Sequence, residues 1–261
     1  MSIGLQSTDD QELKMLGRIH TYEEFLETWR LTEQAGFKNR NIDLMSALPG
    51  QTMESYEDTL SKVLALEPEH ISAYSLILEE GTVFYDWYEK GKLDRGAWKL
   101  PSEEEEYAMG ELTIQRLAEA GMHRYEISNY AKSGKECRHN LKYWRFSDYL
   151  GFGASAHSFM GGVRFSNIAD IKKYIRVMEN QDLARNCRLG GSEVIGADCV
   201  DWFHVNTVRD SAGEYTFTAL RTRRGVILPE FAKKFKCEFW EMFLEEKPEF
   251  ETFVRQEYAV S

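Results

Sequence analysis

Asn41-Ile42-Asp43-Leu44-Met45-Ser46-Ala47-Leu48-Pro49-Gly50 is the stretch on which the fold turns. Asn41 to Ala47 reads as a strand, and Leu48-Pro49-Gly50 stops it. From about Met53 to Leu66, Tyr56, Leu60, Val63 and Leu64 then recur as the buried face of a helix. The same unit precedes this one. Ser2 to Ser7 alternates through Ile3 and Leu5 as a short strand, and Thr21 with Glu24 forms a capping box. The helix opened there carries Phe25, Leu26, Trp29 and Ala35 and stops at Gly36. Downstream, His70 to Leu78 reads as a third strand, and Ser102 with Glu105 caps a helix ending at Gly121. Strands alternating with helices predict a parallel sheet joined by right-handed crossovers. These units are too few for a closed eight-stranded barrel, which leaves an open sheet or part of a barrel.

The pattern changes after this. Residues from about Tyr125 to Phe165 are short apolar runs, glycine turns and a basic island of Lys132, Lys135, Arg138, Lys142 and Arg145. Beyond Ser166, Asn167 to Met178 and Leu228 to Phe243 carry helical patterns, and Tyr215 to Leu220 reads as a strand. Leu189 to Gly213 has no periodicity and is expected to be loop. The chain is therefore read as α/β over residues 1–165, followed by a mostly helical α+β domain over 166–261.

Composition sets the class. With 29% charged and 43% hydrophobic residues in 261, the chain is an ordinary globular protein. Its net charge of -11 argues against nonspecific nucleic-acid binding. No apolar run is long enough to span a bilayer, so any membrane association is expected to be peripheral. Met1 to Gln6 has no signal-peptide character, and the cytoplasm is the expected location. Cys137, Cys187, Cys199 and Cys237 match no zinc or iron–sulfur spacing and are expected to be reduced.

Two groups of residues carry chemistry. In βα folds, ligands lie at the carboxyl ends of the strands. Gln6 ends the first strand, Asp43 stands among apolar neighbours in the second, and Arg18 closes the turn after the first. These three would grip a small polar ligand, or Asp43 and Arg18 would form an internal ion pair. The second group is Cys137-Arg138-His139-Asn140-Leu141-Lys142-Tyr143-Trp144-Arg145. Its imidazole, aromatics and cations suit a flat anionic ligand, and the basic island read alone is equally a solvated loop. His20, His70, His123 and His204 are isolated and expected in core or surface roles.

Several motifs carry a resemblance. Ser2 to Ser7, Leu16-Gly17-Arg18-Ile19-His20, Ile42-Asp43-Leu44-Met45 and Leu48-Pro49-Gly50-Gln51-Thr52 resemble the second half of the radical-SAM barrel. The likeness is to proteins related to oxygen-independent coproporphyrinogen III oxidase. Tyr125-Glu126-Ile127-Ser128-Asn129-Tyr130-Ala131 and the His139-Asn140-x-x-Tyr143-Trp144 motif narrow it to the heme chaperone branch, HemW. The resemblance runs from Ser2 to Phe165, and Glu214 to Phe235 resembles the start of that family's C-terminal domain.

The resemblance implies that Gln6, Arg18 and Asp43 hold S-adenosylmethionine and that Ile77 lines the same pocket. It implies that His139, Asn140, Tyr143 and Trp144 bind heme, with His139 as a ligand to the heme iron. Imidazole ligates iron, aromatics pack a macrocycle and cations meet propionates. Heme and heme-accepting proteins are the implied partners. The family also holds a [4Fe-4S] cluster through a Cys-x3-Cys-x2-Cys loop after its first strand, and no such triplet occurs here. The chain thus reads as a partial barrel unable to cleave S-adenosylmethionine by itself. Its first strand would expose an unpaired edge, so self-association is expected. Two other readings stand beside this one: a coproporphyrinogen III dehydrogenase of heme synthesis, and an inactive fragment.

Overall fold

Strand β1 (Ser2–Gln6) lies parallel to β2 (Asn41–Ser46), and β2 lies parallel to β3 (His70–Ser75). This is the arrangement the Asn41 stretch predicts, in a computed structural model that describes residues 1–94, 96–180 and 199–255. The chain divides into two compact units, Met1–Glu136 and Cys137–Ser261.

In the first unit the connections are helical. Helices α1 (Asp10–Met15) and α2 (Tyr22–Gln34) follow β1, and α3 (Met53–Leu64) follows β2. After β3 come α4 (Val83–Glu89), a 3-10 turn at Gly96–Trp98 and α5 (Glu103–Glu119). The expected capping boxes form at Thr21 with Glu24 and at Ser102 with Glu105. Alternation sorts the strand residues. Leu5, Ile42, Leu44 and Ile71 join Phe25, Trp29, Tyr56, Leu60, Val63, Met109 and Leu117 in one core. The intervening residues Ser2, Asn41, Asp43, His70 and Ser72 are polar. Burial pushes the Tyr56 hydroxyl up to about 12, and it is satisfied by Thr113 Oγ1 at 2.6 Å.

The sheet is not wholly parallel. Its order is β1-β2-β3-β5-β4, where β4 (His123–Arg124) and β5 (Asn129–Ala131) form a hairpin and β5 runs antiparallel to β3. The reason is connection length. Only four residues separate β4 from β5, too few for a crossover. Among the described residues β1 has a neighbour on one side only.

The second unit opens with α6 (Arg138–Trp144). Strands β6 (His157–Met160), β7 (Val163–Asn167) and β8 (Val200–Val205) form an antiparallel sheet, with α7 (Ile171–Glu179) between β7 and β8. Helices α8 (Val208–Leu220), α9 (Leu228–Phe235), α10 (Phe239–Met242) and α11 (Lys247–Arg255) complete it. Phe146, Phe159, Ala212, Tyr215 and Phe231 form its largest buried cluster.

Several expectations are corrected here. Tyr215 to Leu220 is helix, not strand. A capping box of Thr207 and Asp210 starts α8, and burial of Ala212, Tyr215 and Ala219 on one face overrides the strand propensity of its aromatic and β-branched residues. Leu189 to Gly213 is not all loop, since β8 and the first turns of α8 lie within it; residues 189–198 fall outside the described ones. Asn167 still belongs to β7, and the helix begins at Ile171 behind its Asp170 cap. Leu228 to Phe243 is broken at Lys236, whose φ of 60° is left-handed. The two units divide at Glu136/Cys137, upstream of the expected boundary at 165/166: β6 pairs with β7, β7 pairs with β8, and Phe159 joins the C-terminal core. Cys199 is disulfide-bonded, against the expectation that all thiols are reduced.

Candidate functional site

Strand β1 does not finish regularly. Its register slips between Gly4, opposite Asp43, and Gln6, opposite Leu44, so Leu5 is the extra residue of a bulge. Gln6 itself is left-handed, at φ 74°, a conformation that strains a non-glycine residue. Bulge and turn together fold the buried Gln6 carboxamide back over the strand. A Cβ at Gly4 would stand 2.8 Å from Gln6 Nε2 and 3.9 Å from Asp43 Oδ2. The absent side chain of Gly4 is therefore the space on which Gln6 and Asp43 converge.

Asp43 is held from below. Its carboxylate accepts from Asn41 Nδ2 at 2.7 Å and from Ser2 Oγ at 3.2 and 3.3 Å. Asn41 is tied in turn to His70 Nδ1 at 2.6 Å, and His70 Nε2 meets the Tyr125 hydroxyl at 2.8 Å. Ser72 Oγ donates to Asn129 Oδ1 at 2.7 Å, and the Asn129 amide donates to the buried carboxylate of Glu126. Burial pushes the His70 imidazolium down to about 4, against the pull of Asp43 and Glu136. His70 is neutral at physiological pH.

The other expected pocket residues are placed differently. Arg18 is exposed in the turn after α1, and among the described residues no ion pair joins it to Asp43. The internal ion pair considered for these two does not form. His20, two residues on, reaches back to Leu5 O at 3.3 Å and ties that turn to β1. Ile77 is 75% exposed just beyond the carboxyl end of β3. The structure thus brings Gln6 and Asp43 together and leaves Arg18 and Ile77 on flanking loops. Asn41, His70, Ser72 and Tyr125, not singled out as site residues by the sequence, support Asp43 here. The signal was available: Asn41 and Asp43 are two apart in β2, as are His70 and Ser72 in β3, so each pair shares a face.

In the second unit, α6 carries the whole second group. His139 and Tyr143 lie one helical turn apart, with Tyr143 Oη 3.0 Å from His139 Nε2 and the rings edge to face at 5.2 Å. Tyr149 packs on Tyr143 at 4.7 Å. His139, Arg138 and Lys142 are exposed, Asn140 is half-buried, and Trp144 is half-buried beneath the Arg221 guanidinium, 5.3 Å from its ring. Trp144 Nε1 is buried, with no hydrogen-bond partner among the described residues. Gly151 shapes the following turn, since a Cβ there would fall 2.3 Å from His157 O.

Parallel strands wrapped by helices, with polar side chains on one face of the sheet, define the class: an α/β fold. The Radical SAM superfamily matches residues 1–63. The structure of the radical SAM enzyme coproporphyrinogen III oxidase (HemN) from Escherichia coli superposes with a TM-score of 0.76, over 98% of this chain and 57% of that one, at 19% identity. In sequence the chain is 36% identical over 235 residues to the heme chaperone HemW of Bacillus subtilis, across 90% of this chain and 57% of the relative. It is 41% identical over 181 residues to HemW of Haemophilus influenzae, across 67% of this chain and 45% of that one. The chain is a HemW-like radical-SAM protein, and it spans under two-thirds of the length of these curated relatives.

Proposed function

We propose that this chain binds heme as cargo on α6, binds S-adenosylmethionine over Gly4, and passes heme to acceptor proteins. The observation that carries the heme reading is the exposed His139 imidazole, set beside Tyr143 and Tyr149 and flanked by Arg138 and Lys142. These groups fit a flat dianionic macrocycle: a nitrogen ligand for iron, aromatic edges for the ring and cations for the propionates. Tyr143 must release Nε2 before that nitrogen can ligate, unless Nδ1 is used.

For S-adenosylmethionine, the fit rests on the Gln6 carboxamide and the Asp43 carboxylate meeting over Gly4, a donor–acceptor pair suited to hydroxyls and an amine. Arg18 and Ile77 would close on the ligand from the flanking loops. Reductive cleavage needs a [4Fe-4S] cluster as electron donor. Within residues 1–261 the cysteines stand at 137, 187, 199 and 237, which does not fit a Cys-x3-Cys-x2-Cys loop. Among the described residues no three His, Cys, Asp or Glu gather as a metal site. The activity proposed for residues 1–261 is binding and delivery, read from the groups around His139 and from Gln6 with Asp43. No helix among the described residues is long and apolar enough to cross a membrane.

Titration with heme, followed at the Soret band, tests the reading in the wild type and in His139→Ala. We expect saturable binding that the substitution weakens at least about tenfold. Equal binding by the mutant removes His139 as the ligand.

A further inference from the structure

The polar face of the first unit's sheet contains a chain of hydrogen bonds with a fixed direction. An aspartate carboxylate only accepts, so the Asn41 group 2.7 Å from Asp43 Oδ1 is its Nδ2 amide and not its oxygen. Asn41 Oδ1 therefore points to His70, 2.6 Å from Nδ1, and also takes the Ser72 hydroxyl at 3.2 Å. That oxygen only accepts, so the His70 proton sits on Nδ1. Nε2 is then bare and accepts from the Tyr125 hydroxyl at 2.8 Å. Read in order, Tyr125 donates to His70, His70 to Asn41, and Asn41 to Asp43. Ser2 completes the end of the chain, accepting from Asn41 Nδ2 at 2.7 Å and donating to Asp43.

The Asn41 amide is held at both ends, by Asp43 and Ser2 at Nδ2 and by His70 at Oδ1. Without a donor at His70 Nδ1, nothing on the β3 side distinguishes the two ends of the Asn41 amide except the Ser72 hydroxyl, which is closer to Asn129 at 2.7 Å. A turned amide would set an oxygen against the Asp43 carboxylate and drive that side chain from its place beside Gln6. The parts are buried and anchored in different strands: His70 is 4% exposed in β3, and Tyr125, between β4 and β5, is 8% exposed. Neutral His70, with burial holding its imidazolium near 4, keeps the same tautomer across the physiological range.

We propose that His70, acting through Asn41, is a positioning residue that aims the Asp43 carboxylate at the ligand space over Gly4. The inference rests on the reading of that space as the S-adenosylmethionine pocket, yet its central claim concerns this chain's own hydrogen bonds. It needs no substrate turnover to test.

The full chain is compared with His70→Leu, which removes the donor, and His70→Asn, which returns an N–H donor at the δ position. Two readouts are taken. One is the through-hydrogen-bond NMR coupling between the Asn41 side-chain nitrogen and Asp43 Cγ. The other is the calorimetric dissociation constant for S-adenosylhomocysteine. We expect the coupling to vanish in His70→Leu with affinity reduced about tenfold, and both to return within about twofold of wild type in His70→Asn. A residue that merely fills the core would lower the melting temperature in both variants and leave the coupling in place. Persistence of the coupling in His70→Leu overturns the proposal, as does its loss with unchanged affinity. If the wild type binds no S-adenosylhomocysteine, the pocket reading fails, and the coupling still decides the positioning claim. Should His70→Leu fail to fold, the ¹⁵N spectrum of wild-type His70 decides: a proton on Nδ1 is expected, and a proton on Nε2 overturns it.

Discussion

In Met1–Glu136 Gln6, Asp43 and the residues that support Asp43 stand on three neighbouring strands, whereas in Cys137–Ser261 the candidates stand on one helix of seven residues. The difference decides how each group is held. Strand neighbours are locked by a ladder, so a side chain on β2 can be supported by residues 29 to 31 positions away, as Asn41 is by His70 and Ser72. On helix α6 the His139 imidazole meets Tyr143, its own neighbour one turn along the same helix. Sites on strongly supported elements hold their geometry more closely. The first unit's groups are therefore preformed on the sheet, and the second unit's are exposed and held locally; under the proposed function the first suits a cofactor pocket and the second a site that takes up a cargo and gives it away.

The comparison is broken most directly through the two cores. Phe231 is fully buried and touches Tyr215, Phe235, Phe239 and Phe243. Phe231→Ala should destabilise its unit by about 3–5 kcal/mol, through lost burial and the cavity left behind. Amide exchange reads this: α8 and α9 should speed up strongly, with α3 and α5 as internal references. Equal acceleration in both sets would mean that the chain unfolds as one body.

Acid should act on the first unit. Folded His70 binds its proton at about 4, below the ordinary 6.5, so the unfolded chain takes up that proton first. Its contribution is complete above about pH 6.5 and is lost as the pH falls toward 4. The loss is on the order of 3 kcal/mol. Denaturant melts at pH 7.5 and pH 4.5 should show this in the wild type, and His70→Asn should remove most of the slope. A slope unchanged by the substitution would locate the acid sensitivity elsewhere.

These expectations also mark what the sequence disclosed. Regular elements in the first unit were legible because aliphatic periodicity and capping boxes agree there: Thr21 with Glu24 and Ser102 with Glu105 both form as read. In the second unit, Tyr215 to Leu220 carried a strand-like composition that packing against Phe231 and Phe235 overrode. The long-range pairing of the second unit's sheet was not legible. Nothing local to Val163–Asn167 announces a partner at Val200–Val205. Gln6 could be named from its place at a strand end and Asp43 as a carboxylate among apolar neighbours, but their convergence depends on a bulge and a left-handed residue that no periodicity encodes. His70 looked isolated because its partners Asn41 and Tyr125 are 29 and 55 positions distant.

A smaller change sharpens the first pocket without disturbing its scaffold. Gly4→Ala places a Cβ 2.8 Å from Gln6 Nε2, the far end of a flexible side chain that can swing aside. The melting temperature should hardly move, while S-adenosylhomocysteine binding weakens about tenfold, near 1.4 kcal/mol. Retained affinity would show that Gln6 does not meet the ligand over Gly4.

The smallest expected effect lies on α6. Tyr143→Phe removes the hydroxyl 3.0 Å from His139 Nε2 but keeps the ring that packs on Tyr149. An exposed hydrogen bond of this kind contributes at the lower end of about 0.5–1.5 kcal/mol, because water replaces it readily. If Nε2 is the nitrogen that meets heme iron, the bond competes with the cargo, and its removal should tighten heme binding by about two- to threefold. Soret titrations at matched protein concentration measure this against the loss expected for His139→Ala. Weaker binding in Tyr143→Phe would reverse the assignment, making the tyrosine hydroxyl a contact to the cargo. It would also make α6 a site that meets its ligand through two groups in place of one.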